Sequence, residues 1–450
     1  MIGLTICELC AACGGEWQGA EDLLDKTPSD IVTDSRQASK GSLFLALRGE
    51  KTDGHRYIPD VLQQGALAVL AEEGGAPGEP RILVPNVMDA MRKAARMNRS
   101  RFSIPFIGVT GSVGKTTAKE MLASALSGRL RTFKTPGSMN GQIGIPVALT
   151  GMEDRYDAAV IEMGISLHGE MRRLTEIVHP DMAVFTNIGD AHLEAFHDRP
   201  GILKEKSELL LGMPSEGVIF YNGDDELLRA ANFGGRRKVC FGLGEKCDVR
   251  AENVRYEDGT TLCCTVIAPG RRFPIRVDAY GSYMIYSVLS AAAVAIELGL
   301  SDAEIAEGMS HYETIGHRSR VLNLGWCTLV DDCYNANPTS NRAAIDSIMT
   351  LGEGRKVCIL GDMRELGENS RELHRALGEY AVSHGVESIL TQGDEAACIA
   401  EAAGETAVHF SDKASLIASL SEYLKKGDIV LVKASHGPGF DEVVRAIEKL

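Results

Sequence analysis

The sequence predicts an α/β protein of three domains: a small α/β N-terminal domain over 1–103, a central domain with a P-loop ATPase-like parallel sheet over 104–315, and a Rossmann-like domain over 316–450. Three observations predict this. A chain of 450 residues is long enough for two to four domains at about 150 residues each. Continuous apolar runs alternate with helical stretches, as in parallel sheets covered on both faces. One of those runs leads into a glycine-rich turn that ends in Lys-Thr and opens a helix.

The N-terminal block holds short strand-like runs at 31–33, 42–47 and 66–71, with breakers at 74–80. In the central block the apolar runs are 104–109, 158–163, 182–188 and 218–221. Residues 249–277 read as a hairpin-rich insertion and 286–298 as an alanine-rich helix. The last block places strands at 328–330, 357–360, 388–390 and 429–432. No internal repeat or low-complexity tract interrupts this pattern.

Composition excludes several classes. The chain is 44% hydrophobic and 24% charged, ordinary for a globular protein. A net charge of −15 argues against nonspecific nucleic-acid binding. No apolar run approaches the roughly 18 residues of a membrane span. The first residues lack the basic stretch of a secretory signal. Eleven scattered cysteines, among them Cys240 and Cys358 inside apolar runs, fit buried reduced thiols in the cytoplasm. Cys7, Cys10 and Cys13 hint at metal, but no fourth ligand follows and a spacing of three fits one helix face.

The turn reads Thr110-Gly111-Ser112-Val113-Gly114-Lys115-Thr116-Thr117. Glycines let the backbone approach phosphates, Lys115 supplies a point charge, and the Thr116 hydroxyl can bind Mg²⁺. Val109 stands where the strict motif has its first glycine. The strand before and the helix after make this a nucleoside triphosphate site.

In doubly wound sheets ligands bind outside the carboxyl ends of the strands. Two central runs end in Glu162-Met-Gly and in Thr186-Asn-Ile-Gly-Asp-Ala-His192. A carboxylate and an imidazole beside a phosphate loop are candidate Mg²⁺ ligands. Lys204-Glu-Lys206-Ser-Glu208 by itself reads as a solvated helix face. In the last block Asp331-Asp332-Cys-Tyr-Asn335-Ala-Asn337-Pro338, the loop 361–367 and Lys433-Ala-Ser435-His436 also follow strands. That many polar strand ends predict a cleft facing the nucleotide domain, whose closure would exclude water.

Together these residues resemble the Mur ligase family over nearly the whole chain. The motifs Thr33-Asp34-Ser35-Arg36, Gly41 to Gly49 and Asp53-Gly-His55 are similar to its UDP-sugar-binding N-terminal domain. The phosphate turn matches the family's ATP loop, which also lacks the strict first glycine. The motifs at 331–338 and 361–367 point within the family to the enzymes that add D-Ala-D-Ala to UDP-N-acetylmuramoyl-tripeptide.

The resemblance implies ATP-dependent amide ligation through an acyl phosphate, with ATP and Mg²⁺ as cofactors, in a cytoplasmic monomer making peptidoglycan precursor. It implies that Lys115 holds the γ-phosphate and that Thr116 and Glu162 bind one Mg²⁺. His192 and a carbamylated Lys206 would bind a second. Arg318 and Asp332 would contact the γ-phosphate and ribose, Asn140 belongs to the loop after the ATP helix, and Ser35 and Arg36 would hold the UDP moiety. Asn335 and Asn337 are further candidate substrate contacts.

There are departures. Ser138 and Gly141 replace asparagines of the family, Tyr283-Met284 replaces His-Asn, and Ser287 replaces a later asparagine. His436 replaces an arginine that could grip a carboxylate. These departures leave three alternatives: a different amine donor, a folylpolyglutamate-type relative, or a non-catalytic nucleotide- or UDP-sugar-binding protein. The Asp34-Ser35-Arg36 module argues against the second, and the retained lysines and acids argue against the third.

Overall fold

The computed structural model describes residues 3–49, 52–435 and 437–450. The departure at His436 lies outside the described residues. Three sheets follow one another along the chain.

The first sheet has five short strands in the spatial order Glu16–Trp17, Arg81–Leu83, Ala68–Ala71, Leu43–Leu45, Ile31–Val32. All pairings are parallel except the first. The helix Ile6–Cys13 starts at a capping box of Thr5 and Glu8 and stops at Gly14, whose φ is 67°. Cys7 is exposed, Cys10 half-buried and Cys13 buried, and all three are free thiols. They therefore form a graded helix face, as their spacing suggested. The helix Val87–Ser100 ties this domain to the next, where buried Asn98 donates to the carbonyls of Leu149, Thr150 and Met152 at 2.7, 3.3 and 3.0 Å.

The second sheet has nine strands. Its parallel part runs Thr132–Lys134, Ala158–Glu162, Phe106–Thr110, Met182–Phe185, Val218–Asn222, Arg237–Gly242, Val249–Glu257. Thr261–Ala268 and Arg271–Asp278 extend it antiparallel, so the hairpin-rich reading of this region holds. The chain leaves Phe106–Thr110 toward one edge, returns through Ala158–Glu162, and continues on the other side with Met182–Phe185. Strand order thus reverses at Phe106–Thr110, the switch point where such sheets bind ligands. The helix Lys115–Ser127 packs on the helix Met284–Glu297, whose buried alanines allow close approach.

The third sheet runs Arg320–Asn323, Thr328–Asp331, Ile429–Lys433, Lys356–Gly361, Ser388–Gln392, Ala407–Phe410, parallel except at its first pair. Apolar runs located its buried strands. They missed Arg320–Asn323 and Ala407–Phe410 here and Arg237–Gly242 in the second sheet, which are partly exposed and carry charged or polar side chains among apolar ones. Cys240 is consequently half-buried rather than buried, and its sulfur lies 3.2 Å from that of Cys247.

Candidate functional site

The phosphate turn sits where its sequence requires. Gly111 has φ 148°, and a Cβ there would meet the Thr186 hydroxyl at 2.0 Å, so only glycine fits. Gly114 adopts φ 79° and starts the helix Lys115–Ser127 with its backbone N–H groups free for an anion. The neighbouring strand end stitches the turn down. Asn187 Oδ1 accepts from Val113 N at 3.0 Å, and Thr186 Oγ1 donates to the Val113 carbonyl at 2.7 Å.

A cavity of about 990 Å³ opens above this turn. Its wall includes Ser112, Gly114, Lys115, Thr116, Thr117, Asn140, Glu162 and His192 from the central domain. Arg318, Asp332, Asn335 and Asn337 reach it from the following domain, so the predicted cleft is present. Thr110 and Gly111 shape the turn from below without lining the cavity; the Thr110 hydroxyl donates to the Met163 carbonyl at 2.9 Å. Ser35 and Arg36 do not line it either. Arg36 is an exposed side chain paired with Asp34 at 2.6 Å.

Glu162 is buried at the end of its strand. Its Oε1 accepts from Thr116 Oγ1 at 3.0 Å and from Asn140 Nδ2 at 2.7 Å, so three predicted residues meet on one carboxylate. Among the described residues its Oε2 has no hydrogen-bond partner, and buried Lys119 Nζ stands 3.8 Å away. Lys119 was not foreseen. It donates to the carbonyls of Thr135 and Gly137 at 2.8 and 2.7 Å and so braces the loop that carries Asn140. Its place one helical turn after Lys115 was the available signal.

Lys206 contradicts its reading as part of a solvated helix face. On the helix Arg199–Ser207 it is fully buried, and among the described residues its Nζ has no hydrogen-bond partner. Burial, then the charge of Lys115, push its pKa well below that of an ordinary lysine. The amine is therefore held toward its neutral, nucleophilic form. Burial likewise lowers the pKa of Lys115, against the opposing pull of Glu162.

His192 begins the short helix Leu193–Phe196 in a left-handed conformation, φ 63°. Its Nδ1 lies 2.5 Å from Glu365 Oε2 in the loop after Lys356–Gly361. Pairing with His192 holds the Glu365 carboxyl below the usual glutamate range. The Glu365 carbonyl also accepts from Glu194 N at 3.2 Å, so this loop bridges the two domains.

At the other end of the cavity Tyr283, Tyr286, Ser287, Asn222 and Asp224 form the wall. Met284, one of the departures, instead lies in the core. The Tyr283 hydroxyl hydrogen-bonds to Ser319 Oγ, which also lies 3.1 Å from Asp332 Oδ1. Asp332 Oδ2 pairs with buried Lys433 Nζ at 2.5 Å, and that ammonium also donates to the Asn335 carbonyl at 3.0 Å. Arg318 stacks on the Tyr334 ring at 3.8 Å. Asn337 caps the helix Pro338–Met349, so its Oδ1 already accepts from Ser340 N at 2.8 Å. Asn222 and Asp224 were missed, although the strand-end rule that found Glu162 applies equally after Val218–Asn222.

Orphaned polar atoms test the fit of a cation. Among the described residues Glu162 Oε2 and Lys206 Nζ are both buried without a hydrogen-bond partner, an arrangement costly unless something else satisfies them. The Thr116 hydroxyl and the Glu162 carboxylate, 3.0 Å apart, are oxygen donors of the kind Mg²⁺ takes.

Comparison with known proteins agrees with this geometry. Residues 29–99 match the family model "Mur ligase family, catalytic domain", 109–295 match "Mur ligase middle domain", and 317–436 match "Mur ligase, glutamate ligase domain". The chain is 33% identical to a UDP-N-acetylmuramoyl-tripeptide–D-alanyl-D-alanine ligase of Bacillus subtilis, over 92% of each. It is 32% identical to the Escherichia coli enzyme of that name, over 100% of this chain and 99% of the relative. Among solved structures, MurF from Acinetobacter baumannii superposes with TM-score 0.88 at 28% identity, over 99% of each chain. MurF ligase from Thermotoga maritima in complex with ADP gives 0.82 at 30% identity, over 93% of this chain and 97% of that one.

Proposed function

The chain belongs to the Mur ligase family, and from that premise we propose that it joins D-Ala-D-Ala to the tripeptide carboxylate of UDP-N-acetylmuramoyl-tripeptide at the expense of ATP. The observation that carries this reading is the convergence of Thr116 and Asn140 on the buried Glu162 carboxylate, in a cleft that Lys115 lines and that residues of a second domain complete.

The reaction has two steps. The tripeptide carboxylate attacks the γ-phosphorus of ATP, forming an acyl phosphate and releasing ADP. The dipeptide amine then attacks the acyl carbon, and phosphate leaves from the tetrahedral intermediate. Carboxylate and triphosphate repel each other, so the first step needs positive charge fixed in advance. Lys115 and Arg318, both on the cavity wall, supply it. Mg²⁺, held by Thr116 and Glu162 and by His192 with a carbamylated Lys206, would screen the remaining phosphate charge. Carbamylation is attack of the Lys206 amine on CO₂ with loss of one proton; its buried, neutral amine is suited to this.

Asp332 lines the same cavity and would contact the ribose. Ser35 and Arg36, which do not line the cavity, would hold the UDP moiety of the substrate. We assign residues 1–103, 104–315 and 316–450 as the UDP-sugar, ATP and ligase domains of a cytoplasmic monomer. Among the described residues no helix is long and apolar enough to cross a membrane.

Phosphate release from ATP with Mg²⁺, UDP-N-acetylmuramoyl-tripeptide and D-Ala-D-Ala, each omitted in turn, tests the proposal. Release requiring every component, with a product heavier by the dipeptide, is expected. Release without D-Ala-D-Ala would point to another amine donor, and binding of ATP without release would overturn the catalytic reading.

A further inference from the structure

The strand Thr328–Asp331 leads into two consecutive carboxylates with different surroundings. Asp332 lines the nucleotide cavity and has Lys433 as its counter-charge. Asp331 is not on that wall and is fully buried. Among the described residues no lysine or arginine pairs with it. Its Oδ2 meets only His317 Nδ1, at 2.6 Å, and its Oδ1 meets the Cys333 thiol at 3.1 Å and the Cys333 N–H at 3.5 Å. A buried carboxylate without a cation is expensive.

The three donor atoms, one nitrogen, one oxygen and one sulfur, all lie within 4.8 Å of one another. Cys333 is buried, whereas the His317 side chain is 44% exposed, which leaves one side of the cluster open to solvent. We propose that His317, Asp331 and Cys333 bind a borderline-soft divalent cation, zinc before others, with water in the fourth position.

The chemistry of the donors selects the metal. Thiolate with imidazole and carboxylate suits Zn²⁺ in a tetrahedral site and does not suit Mg²⁺ or Ca²⁺, which take oxygen. Bond lengths of about 2.0–2.3 Å put tetrahedral donors roughly 3.3–3.8 Å apart, so the present hydrogen-bond spacings must open slightly. His317 can yield, because it lies on the connection between the helix Asp302–Ser310 and the strand Arg320–Asn323. Binding displaces the Cys333 thiol proton to solvent, while the imidazole ligates through Nδ1 and keeps its proton on Nε2. The metal then clamps the 316–319 segment, which carries Arg318 and Ser319 on the cavity wall, to the end of the strand.

The test is competition for Zn²⁺ between the chelator-treated full chain and a chromophoric chelator, with Co²⁺ as a spectroscopic probe. Wild type, His317→Ala, Cys333→Ser and, as a thiol control, Cys240→Ser are compared after thermal unfolding has confirmed that each is folded. We expect one zinc per wild-type and Cys240→Ser chain, at least about tenfold weaker binding in the other two, and a thiolate–Co²⁺ charge-transfer band that Cys333→Ser abolishes. Unchanged zinc affinity in His317→Ala and Cys333→Ser, no zinc bound by wild type, or a band lost in Cys240→Ser would overturn the proposal. Should Cys333→Ser fail to fold, the half-exposed His317→Ala decides.

Discussion

The two ends of the nucleotide cavity are built on different principles. At the phosphate end Lys115, Thr116, Asn140, Glu162 and buried Lys119 are fixed by a glycine turn, by the ends of parallel strands and by one another. At the opposite end Tyr283 reaches across to Ser319, Asp332 and Lys433, a chain of hydrogen bonds that joins two domains. Charge near a triphosphate must be held in place before the reaction, because reorienting it during the reaction costs energy. On the second wall the charges of Asp332 and Lys433 are already paired with each other. The family's departures at Tyr283 and Ser287 fall on that second wall and those at Ser138 and Gly141 flank Asn140 at the phosphate end, while none falls on the phosphate turn or on Glu162.

The sharpest break in this comparison should come from Lys115→Ala. Removing the charge aimed at the γ-phosphate should cost about 10²–10³-fold in kcat, with far less change in thermal stability; steady-state phosphate release measures it. An equal loss from Tyr283→Phe would erase the distinction between the ends.

Lys206→Ala should follow, with a loss on the order of 10²-fold. Its depressed pKa fixes the sign of the pH effect. The folded protein holds the amine neutral down to a pH below that at which an ordinary lysine becomes charged, so carbamylation does not need alkaline conditions. Stripping CO₂ at neutral pH should lower wild-type activity and bicarbonate should restore it, while acidification through the lowered pKa should remove the carbamate. Full activity of Lys206→Ala in CO₂-free buffer would sink the assignment.

Tyr283→Phe deletes one buried hydrogen bond to Ser319, worth about 0.5–1.5 kcal/mol. A several-fold rise in KM for ATP with kcat nearly kept is the expected result, read from initial rates at varied ATP.

The smallest effect belongs to Glu365→Gln, on the half-exposed bridge to His192. Because the folded carboxyl titrates below its usual range, its stabilisation is present above that range and is lost as pH falls through the lowered value. Wild type and variant should therefore differ slightly in melting temperature at neutral pH and converge in acid.

Most of the phosphate end was legible in the sequence because its chemistry is local. A strand, two glycines and Lys-Thr form a site within a dozen residues. The strand-end rule then reached Glu162 and His192 without knowledge of the topology. Lys206 was legible only through the family resemblance, since its charged neighbours give the pattern of a solvated helix. Lys119, Asn222 and Asp224 escaped although a local signal stood beside each, one helical turn after Lys115 or at the end of a strand; their roles depend on segments that fold beside them.

The sequence alone determined the alternation of strands and helices, the triphosphate turn and the order of the motifs, because periodicity and backbone conformation are short-range properties. Tertiary structure decided which charges are buried. It placed Lys206 and Lys119 beneath the cavity and separated Asp331 from Asp332 into different environments. It also carried Ser35 and Arg36 away from the cavity wall. The protonation and ligand chemistry of an ionisable group depend on its desolvation and on neighbours distant in the chain, and only the folded protein supplies both.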